Sequence, residues 1–391
     1  MLYKKISKCR ICGNRKLIEV LNLGQQALTG VFPKPGEKVE KGPLALVKCE
    51  VGRKGEHCGL LQLEHNYNMK LLYGDNYGYR SGLNQSMTRH LGDIVSKIEG
   101  MISLRNGDLV IDIASNDGTL LKAYGNKQLN LLGIDPTSAK FRQYYPRHVN
   151  YAPEFFSAEV VRRHSKNKAK VVSSIAMFYD LEKPVDFMKQ IQSILDDDGI
   201  WVLEQSYMPT MIQNISYDTV CHEHLEYYAL RQIQWMAQKV GLKIVDVEFN
   251  DTNGASFCIV MAKSESRRAV SRKIESILRR EEGGGFNQLV VYRRFARKVK
   301  HHRFELVTCL KKMISQGKKV LGYGASTKGN VILQYCNIDN QLIPYIAEVN
   351  EYKFGRQTPG TQIPIISEKK AKQLKPDYYL VLPWHFKKGI L

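Results

Sequence analysis

The centre of the chain alternates short apolar runs with longer amphipathic stretches. Four apolar runs between residues 107 and 262 have the length of strands, and segments with helical spacing separate them. Strands and helices in this order are typical of a parallel sheet with helices on both faces. The four runs are DLVIDIA, LLGID, KVVSSIAM and GIWVLEQ.

The pattern changes on both sides of this region. Residues 1–65 carry short apolar runs between Pro/Gly turns, which favours a small β-rich module. Residues 318–391 repeat the strand–helix alternation on a shorter scale. We therefore expect an α/β protein with three parts: 1–65, 66–262 with a helical lead-in, and 263–391 with linking helices.

Composition and the N-terminus set further limits. The chain has 391 residues, of which 43% are hydrophobic and 25% charged, as expected of a soluble globular protein with two or three domains. It contains no apolar run of 18 residues, and MLYKKISKCR lacks the apolar core of a signal peptide. We expect a cytoplasmic location and no membrane span.

The charge is uneven. Residues 263–319 hold 17 Lys and Arg against 5 Asp and Glu, which is +12 of the net +20. A solvated face of linking helices is the simplest explanation, and phosphate-rich ligands, membrane surfaces and nucleic acid are the alternatives. No aromatic-interleaved RNA-binding signature accompanies this segment, so we expect no stable nucleic-acid complex.

Half of the eight cysteines lie in the first module. Cys9 and Cys12 have the C-x-x-C spacing of half a structural zinc site, and Cys49 and Cys58 could complete it. A metal would let a module with a small core fold. The alternatives are buried thiols without a metal, or His57 as one of the ligands.

The segment GDLVIDIASNDGTLLKAY (107–124) predicts a strand, an acidic turn and a helix, and a second strand ends at Asp135. Ligands bind at such strand ends, and an acid about twenty residues on can hold ribose hydroxyls. The turn lacks G-x-G-x-x-G, and its carboxylates favour a cationic adenosine ligand such as S-adenosylmethionine; a strand–acid–turn also occurs in α/β domains without a ligand. The candidate cofactor-binding residues are Asp112, Ala114, Asn116, Asp117, Gly118, Asp135, Pro136 and Ser174.

Two further segments could carry chemistry. In DTVCHEHLEYYAL (218–230), two histidines and two glutamates fall within five positions; they could form a general base, a polar turn or a metal site. The metal is least favoured, because Glu226 breaks H-E-x-x-H. LGYGASTKGN (321–330) lacks P-loop spacing but suits a diphosphate or sugar, unless it is only a tight turn.

The whole chain resembles the nucleotide-sugar C-methyltransferases that make branched-chain deoxysugars. The resemblance rests on the order of the motifs after the cysteine module: YGYRSG, VIDIASNDGTLL, GIDPT, LEQSYMP, CHEHLEYY, VLGYGASTKGN and QTPGTQIPI. It implies a zinc-binding module, a central Rossmann-like class I S-adenosylmethionine domain and a second Rossmann-like domain. It also implies methylation of a carbon beside the ketone of an NDP-4-keto-6-deoxyhexose, at C-3.

By this resemblance His224 and Glu223 are the catalytic pair, with His224 as the base and Glu223 as either its orienting partner or a substrate ligand. Tyr77 and Tyr79 are candidates for donating hydrogen bonds to the keto oxygen. The chain departs from the family pattern at two places. Cys221 stands where members of the family often have Tyr. Eight residues separate Cys49 from Cys58, where the family usually has a second C-x-x-C pair. The candidate substrate-binding residues are His222, Tyr179, Ser326, Lys328, Asn330 and Lys353.

Two alternatives remain open at this point. An O- or N-methyltransferase would need no carbon-acid base. A nucleic-acid-binding or nucleic-acid-modifying protein would explain the basic segment and the cysteine module. The self-contained three-part layout predicts a monomer.

Overall fold

A computed structural model describes residues 2–52, 55–68, 72 and 80–386 of the chain. Tyr77 and Tyr79, the two predicted catalytic tyrosines, lie outside the described residues.

The N-terminal region is built from short antiparallel strands. Strands β2, β3 and β4 pair in order, and β11 (Glu226–Tyr227) from the middle of the chain adds to the edge of β4. β1 and β5 form a separate two-stranded sheet. The N-terminal strands are β1 (Tyr3–Lys5), β2 (Leu17–Ala27), β3 (Lys41–Cys49), β4 (Leu61–Leu63) and β5 (His65–Tyr67).

The centre is a seven-stranded sheet in the order β8-β7-β6-β9-β10-β13-β12, in which β13 runs antiparallel to both of its neighbours. Its strands are β6 (Leu109–Ile113), β7 (Asn130–Ile134), β8 (Val149–Ala152), β9 (Ala169–Ile175), β10 (Leu195–Ser206), β12 (Leu242–Asn250) and β13 (Ser256–Lys263). Its helices are α1 (Gln85–Met101), α2 (Thr119–Lys122), α3 (Ala158–His164), α4 (Pro184–Ile194), α5 (Met208–Gln213) and α6 (Leu230–Lys239).

The sheet is buried on both faces, which is why its strands are continuous apolar runs rather than alternating ones. Side chains alternate across it: Ile111 and Trp201 pack into the core on one face, and Val110 and Val202 into the core on the other. Burying one such side chain fully contributes about 1.5–3 kcal/mol.

The C-terminal region starts with two helices and ends in a four-stranded parallel sheet, ordered β16-β15-β14-β17. Its elements are α7 (Lys273–Gly283), α8 (Leu289–Ser315), β14 (Val320–Tyr323), α9 (Thr327–Cys336), β15 (Ile346–Glu348), β16 (Ile365–Ser367), α10 (Glu368–Gln373) and β17 (Tyr378–Val381). The predicted α/β fold class is confirmed.

Helix α8 carries much of the predicted basic segment. It buries Tyr292, Phe295, Val299 and Leu310, which share one face, and leaves most of its Lys and Arg side chains in solvent. Within the described part of the chain no helix, α8 included, is long and apolar enough to cross a membrane.

Candidate active site

The four N-terminal cysteines come together in one cluster. Their sulfur atoms all lie within 4.8 Å of one another, and Cys9–Cys58 and Cys12–Cys49 are each 3.5 Å apart. Four thiolates bound at about 2.3 Å around a tetrahedral zinc ion are about 3.8 Å apart. The sulfur positions therefore fit a zinc ion, and the eight residues between Cys49 and Cys58 do not prevent this geometry.

The surroundings of the cluster also suit a zinc ion held by four thiolates, which carries net negative charge. Lys48 is buried beside it, and its ammonium donates a hydrogen bond to the backbone oxygen of Gly59. Burial lowers the pKa of Lys48 to about 8, while the charges of the Cys58 and Cys49 thiolates oppose that shift. The Asn14 amide donates to the Cys49 sulfur at 3.5 Å.

The predicted cofactor loop follows strand β6 at the carboxyl edge of the central sheet. Ala114, Asn116 and Gly118 have φ angles of 59°, 51° and 72°, so the chain reverses within a few residues. Gly118 is the residue before helix α2, and a side chain there would meet the Tyr145 ring at 3.0 Å. This geometry explains the small residues of A-S-N-D-G.

Two buried carboxylates lie beside this loop. Asp135 accepts a hydrogen bond from the backbone N–H of Asn116 at 2.9 Å, which fixes the distance between the ends of β6 and β7. Asp112 accepts from the Ser173 hydroxyl at 2.6 Å, and burial raises the pKa of Asp112 to about 7. Buried acids of this kind suit the ammonium and ribose hydroxyls of S-adenosylmethionine.

Other predicted cofactor residues have different surroundings. Asp117 accepts from the backbone N–H of Gly82 at 3.0 Å and so joins the loop to the helical lead-in. Ser174 is fully buried and accepts from the Trp201 indole at 2.8 Å, so its side chain is engaged in the core. Pro136 is half-buried next to Asp135. Their roles toward a cofactor stay predictions.

The H-E-H segment lies where the three regions of the chain meet. Leu225, which follows it, donates its N–H to the backbone oxygen of Tyr179 at 2.8 Å and accepts from the N–H of Leu63 at 2.8 Å. A small pocket borders His224, next to the ends of β9 and β10. It is lined by Tyr179, Ser206, Met208, Met211, Thr219, His224, Glu226 and Tyr227.

The imidazole of His224 is held in one tautomer by a backbone carbonyl. Its Nδ1 lies 2.9 Å from the backbone oxygen of Thr219, which can only accept, so Nδ1 carries the proton and Nε2 the lone pair. Burial and, to a smaller extent, the charge of Lys328 lower the pKa of His224 to about 4. The Tyr179 ring packs on the imidazole with 4.4 Å between centroids.

Glu223 and His222 contact the N-terminal region instead. The Glu223 carboxylate lies against Gly30, where an added Cβ would meet Oε1 at 2.4 Å. Its Oε2 is buried and makes no hydrogen bond to the described residues, and burial raises the pKa of Glu223. His222 is fully buried, with Nδ1 at 3.4 Å from the Thr29 backbone nitrogen.

Lys328 reaches the same junction from the C-terminal region. Its ammonium donates to the backbone oxygen of Asn253 at 2.7 Å, and burial lowers its pKa, although the charge of Asp218 opposes the shift. Asp218 is itself buried and accepts from the Trp384 indole at 2.9 Å. This group of charges was not foreseen as a unit, because its members lie far apart in sequence.

The other predicted substrate residues are engaged within the protein. Ser326 caps helix α9 by accepting from the Gly329 N–H at 3.0 Å. Asn330 is fully buried and donates to the Thr29 backbone oxygen at 2.7 Å. Lys353 donates to the Ala325 backbone oxygen at 2.7 Å and lies 3.7 Å from Glu348. Direct substrate contacts by these side chains stay predictions.

The N-terminal contribution to this junction is not evident from the sequence. Thr29 and Gly30 contact His222 and Glu223, yet they stand in a turn that carries no motif. The buried Glu226 in the pocket wall belongs to the predicted cluster, but the sequence pattern gives it no role of its own beyond breaking the H-E-x-x-H spacing. Its place in C-H-E-H-L-E, two positions after His224, is the signal that could have marked it.

Three family models match successive parts of the chain. Residues 9–73 match a "Putative zinc binding domain", residues 83–247 a "Methyltransferase domain" and residues 251–391 a "C-methyltransferase C-terminal domain". Their order is the one that the motifs predict.

A characterised relative matches over the full length. The chain is 28% identical to C-methyltransferase NovU of Streptomyces niveus, over 100% of this chain and 92% of that protein. Solved structures match less of it. The match to an S-adenosylmethionine-dependent methyltransferase from Clostridium acetobutylicum spans 45% of this chain and 92% of that protein, with 14% identity and a TM-score of 0.36. The match to magnesium protoporphyrin IX methyltransferase from Synechocystis spans 50% of this chain and 89% of that protein, with 14% identity and a TM-score of 0.35.

The matches agree with the geometry. The cysteine cluster lies within the zinc-binding match, and the loop after β6 lies within the methyltransferase match. The predictions of S-adenosylmethionine and zinc are confirmed at the level of the family. The chain is therefore an S-adenosylmethionine-dependent methyltransferase whose three successive regions match a zinc-binding domain, a methyltransferase domain and a C-methyltransferase C-terminal domain.

Proposed function

We propose that the protein methylates the carbon beside the ketone of an NDP-4-keto-6-deoxyhexose, at C-3, with His224 as the general base. The observation that supports this most directly is the hydrogen bond from His224 Nδ1 to the Thr219 backbone oxygen. Methylation of oxygen or nitrogen needs no carbon-acid base, whereas a C–H beside a ketone must lose its proton first. A positioned neutral imidazole suits that step.

The residues around His224 fit a reaction in which proton abstraction from carbon precedes methyl transfer. His224 Nε2 takes the proton from the carbon, and the electron pair moves to the keto oxygen to give an enolate. S-adenosylmethionine held at the loop after β6 would supply the methyl group: the enolate carbon would form the new C–C bond, and the S–CH3 electron pair would remain on sulfur in S-adenosylhomocysteine. Glu223, whose Oε2 is buried and makes no hydrogen bond to the described residues, accepts a hydrogen bond from a sugar hydroxyl and holds the ring.

The assignment of the acceptor rests on the order of motifs along the chain. That order resembles nucleotide-sugar C-methyltransferases, and the full-length similarity to NovU accords with methyl transfer to carbon. Lys328 supports the assignment through charge, because it is buried at the junction and can attract an anionic acceptor or its enolate.

The test combines labelled cofactor with exchange in heavy water. The protein is incubated with methyl-labelled S-adenosylmethionine and NDP-4-keto-6-deoxyhexoses carrying different nucleotides, in D₂O. Methyl transfer to carbon and deuterium wash-in beside the ketone, both lost in His224→Asn, are the expected results. Transfer without exchange, and indifferent to His224, would instead identify an oxygen or nitrogen acceptor and overturn the proposal.

A further inference from the structure

Arg10 stands between two of the zinc-binding cysteines, yet its side chain points away from solvent. It lies in the C-R-I-C loop between Cys9 and Cys12, and only 2% of its side chain is exposed. Burying a guanidinium is costly unless its donors are satisfied. The position of those acceptors therefore indicates what the residue does.

The acceptors belong both to the zinc-binding domain and to the residues that directly follow the H-E-H segment. Arg10 Nη1 donates to the backbone oxygen of Leu63 on β4 at 2.7 Å and to that of Leu225 beside β11 at 3.3 Å. Its Nε lies 3.6 Å from Oε1 of the buried Glu226. The remaining partners are the Gln62 and Asn66 side chains and the His65 backbone oxygen.

Leu225 and Glu226 directly follow His224 in the chain. Strand β11, which starts at Glu226, pairs with the zinc-binding domain's sheet, with Glu226 opposite Gln62 and Tyr227 opposite Leu61. The Tyr227 hydroxyl returns to the His224 backbone oxygen at 3.1 Å. A short, continuous set of contacts thus leads from the cysteine loop to the proposed base.

We propose that Arg10 is a positioning residue: it ties the zinc-binding loop to the strand after His224, so that zinc occupancy determines where His224 stands. The inference rests on the proposed function only in taking His224 as the base. Arginine suits the task because its planar fork can bond several acceptors on adjacent strands at once, which a lysine ammonium cannot do in this geometry. The zinc ion would fix the backbone on both sides of Arg10.

The test compares Arg10→Met and Arg10→Lys with Arg15→Met, a matched control at an exposed arginine of the same loop region. Hydrogen–deuterium exchange is followed in peptides from residues 218–230 and, for reference, residues 108–122. Binding of S-adenosylmethionine, zinc content and kcat are measured on the same samples. Arg10→Met should speed exchange in 218–230 and lower kcat about 10²-fold, since small misplacements of a catalytic group cost that much.

Exchange in 108–122 and cofactor affinity should stay within about twofold, because the contacts of Arg10 do not reach that loop. Arg10→Lys should recover about tenfold in kcat through its remaining charge, and Arg15→Met should match the wild type. Removing zinc from the wild type with a chelator should loosen 218–230 as well, which keeps the test valid if Arg10→Met does not fold.

Two results would overturn the proposal: unchanged exchange in 218–230 when Arg10 or zinc is removed, or an equal loss of protection along the whole chain. The second would make both groups general contributors to stability. Because exchange and cofactor binding need no acceptor, they decide the role of Arg10 even if keto-sugars prove not to be substrates.

Discussion

The imidazole of His224 is oriented by a backbone carbonyl, the oxygen of Thr219, 2.9 Å from its Nδ1. A carboxylate in that place would favour the imidazolium and raise the pKa of the histidine. The carbonyl fixes the tautomer without adding a full negative charge. Burial and the charge of Lys328 lower the pKa of His224, while the hydrogen bond to Thr219 opposes that shift, so the imidazole is neutral and its Nε2 lone pair is unprotonated.

Replacing His224 by Asn should remove the base and leave the cofactor site intact. We expect kcat for methyl transfer to fall about 10²–10⁴-fold, the usual contribution of general-base catalysis. The dissociation constant of S-adenosylmethionine, measured by calorimetry, should not change. The exposed His164 provides the control, since His164→Asn should retain full activity. A His224→Asn enzyme within about threefold of wild type would contradict the assignment.

The pKa of His224 predicts an acid-tolerant reaction. With a pKa of about 4, the imidazole stays unprotonated from pH 8 down to pH 5, so its titration should not reduce kcat in that range. Lys328→Met removes a positive charge that lowers this pKa, so the His224 pKa should rise. Imidazole NMR titrations of both proteins measure the shift without turnover. An unchanged pKa in Lys328→Met would show that the charge of Lys328 does not reach His224.

The fold and the predicted cofactor loop could largely be predicted from the sequence, because both depend on local patterns. Buried strands are apolar runs, and in the turn after β6 Asn116 and Gly118 are residue types that tolerate positive φ, whereas the positive φ of Ala114 has no such signal in the sequence. The cysteine cluster was likewise readable from C-x-x-C and a second pair of cysteines in the same module. The domain limits at residues 65 and 262, the monomeric state and the cytoplasmic location stay predictions.

The surroundings of the H-E-H segment could not be predicted from local patterns, because they depend on contacts between residues that are far apart in sequence. Thr29 contacts His222 across 193 positions, and Asn330 donates to Thr29 across 301. Nothing local distinguishes Thr29 from any other turn residue. Strand β11 is only two residues long, and it becomes a strand because the edge of β4 is there to pair with.

Asp135 should matter for cofactor binding. The two Asp135 oxygens accept from the N–H groups of Asn116 and Thr137, so Asp135→Asn replaces one of these acceptors with a donor and removes the charge proposed to bind ribose hydroxyls. We expect the affinity for S-adenosylmethionine to fall about 10–100-fold, the effect of losing one or two charged hydrogen bonds. Calorimetry checks this. Asp93→Asn, at an exposed position on α1, should bind normally, and equal affinity in both variants would rule out a role for Asp135.

Loss of one zinc ligand should be felt mainly in the N-terminal region. Cys12→Ser replaces a sulfur that lies 3.5 Å from that of Cys49, so the protein should no longer retain one zinc ion per chain. Metal analysis and thermal melts should show substoichiometric zinc and a lower midpoint. The exposed Cys309 gives the control, because Cys309→Ser should keep both properties. Full zinc content in Cys12→Ser would mean that a residue other than Cys12 completes the site.

His222 should make the protein less stable in mild acid. Burial lowers its pKa from 6.5 to about 4, so between these values the unfolded chain binds a proton that the folded protein does not, and stability falls as the pH falls. From pH 7 to pH 5 this amounts to about 2 kcal/mol. The free energy of unfolding is measured by urea unfolding at both pH values. Its decrease from pH 7 to pH 5 should be smaller in His222→Gln than in the wild type, by the amount just given. His164→Gln should leave the drop unchanged, and the same drop in all three proteins would mean that His222 titrates alike in the folded and unfolded states.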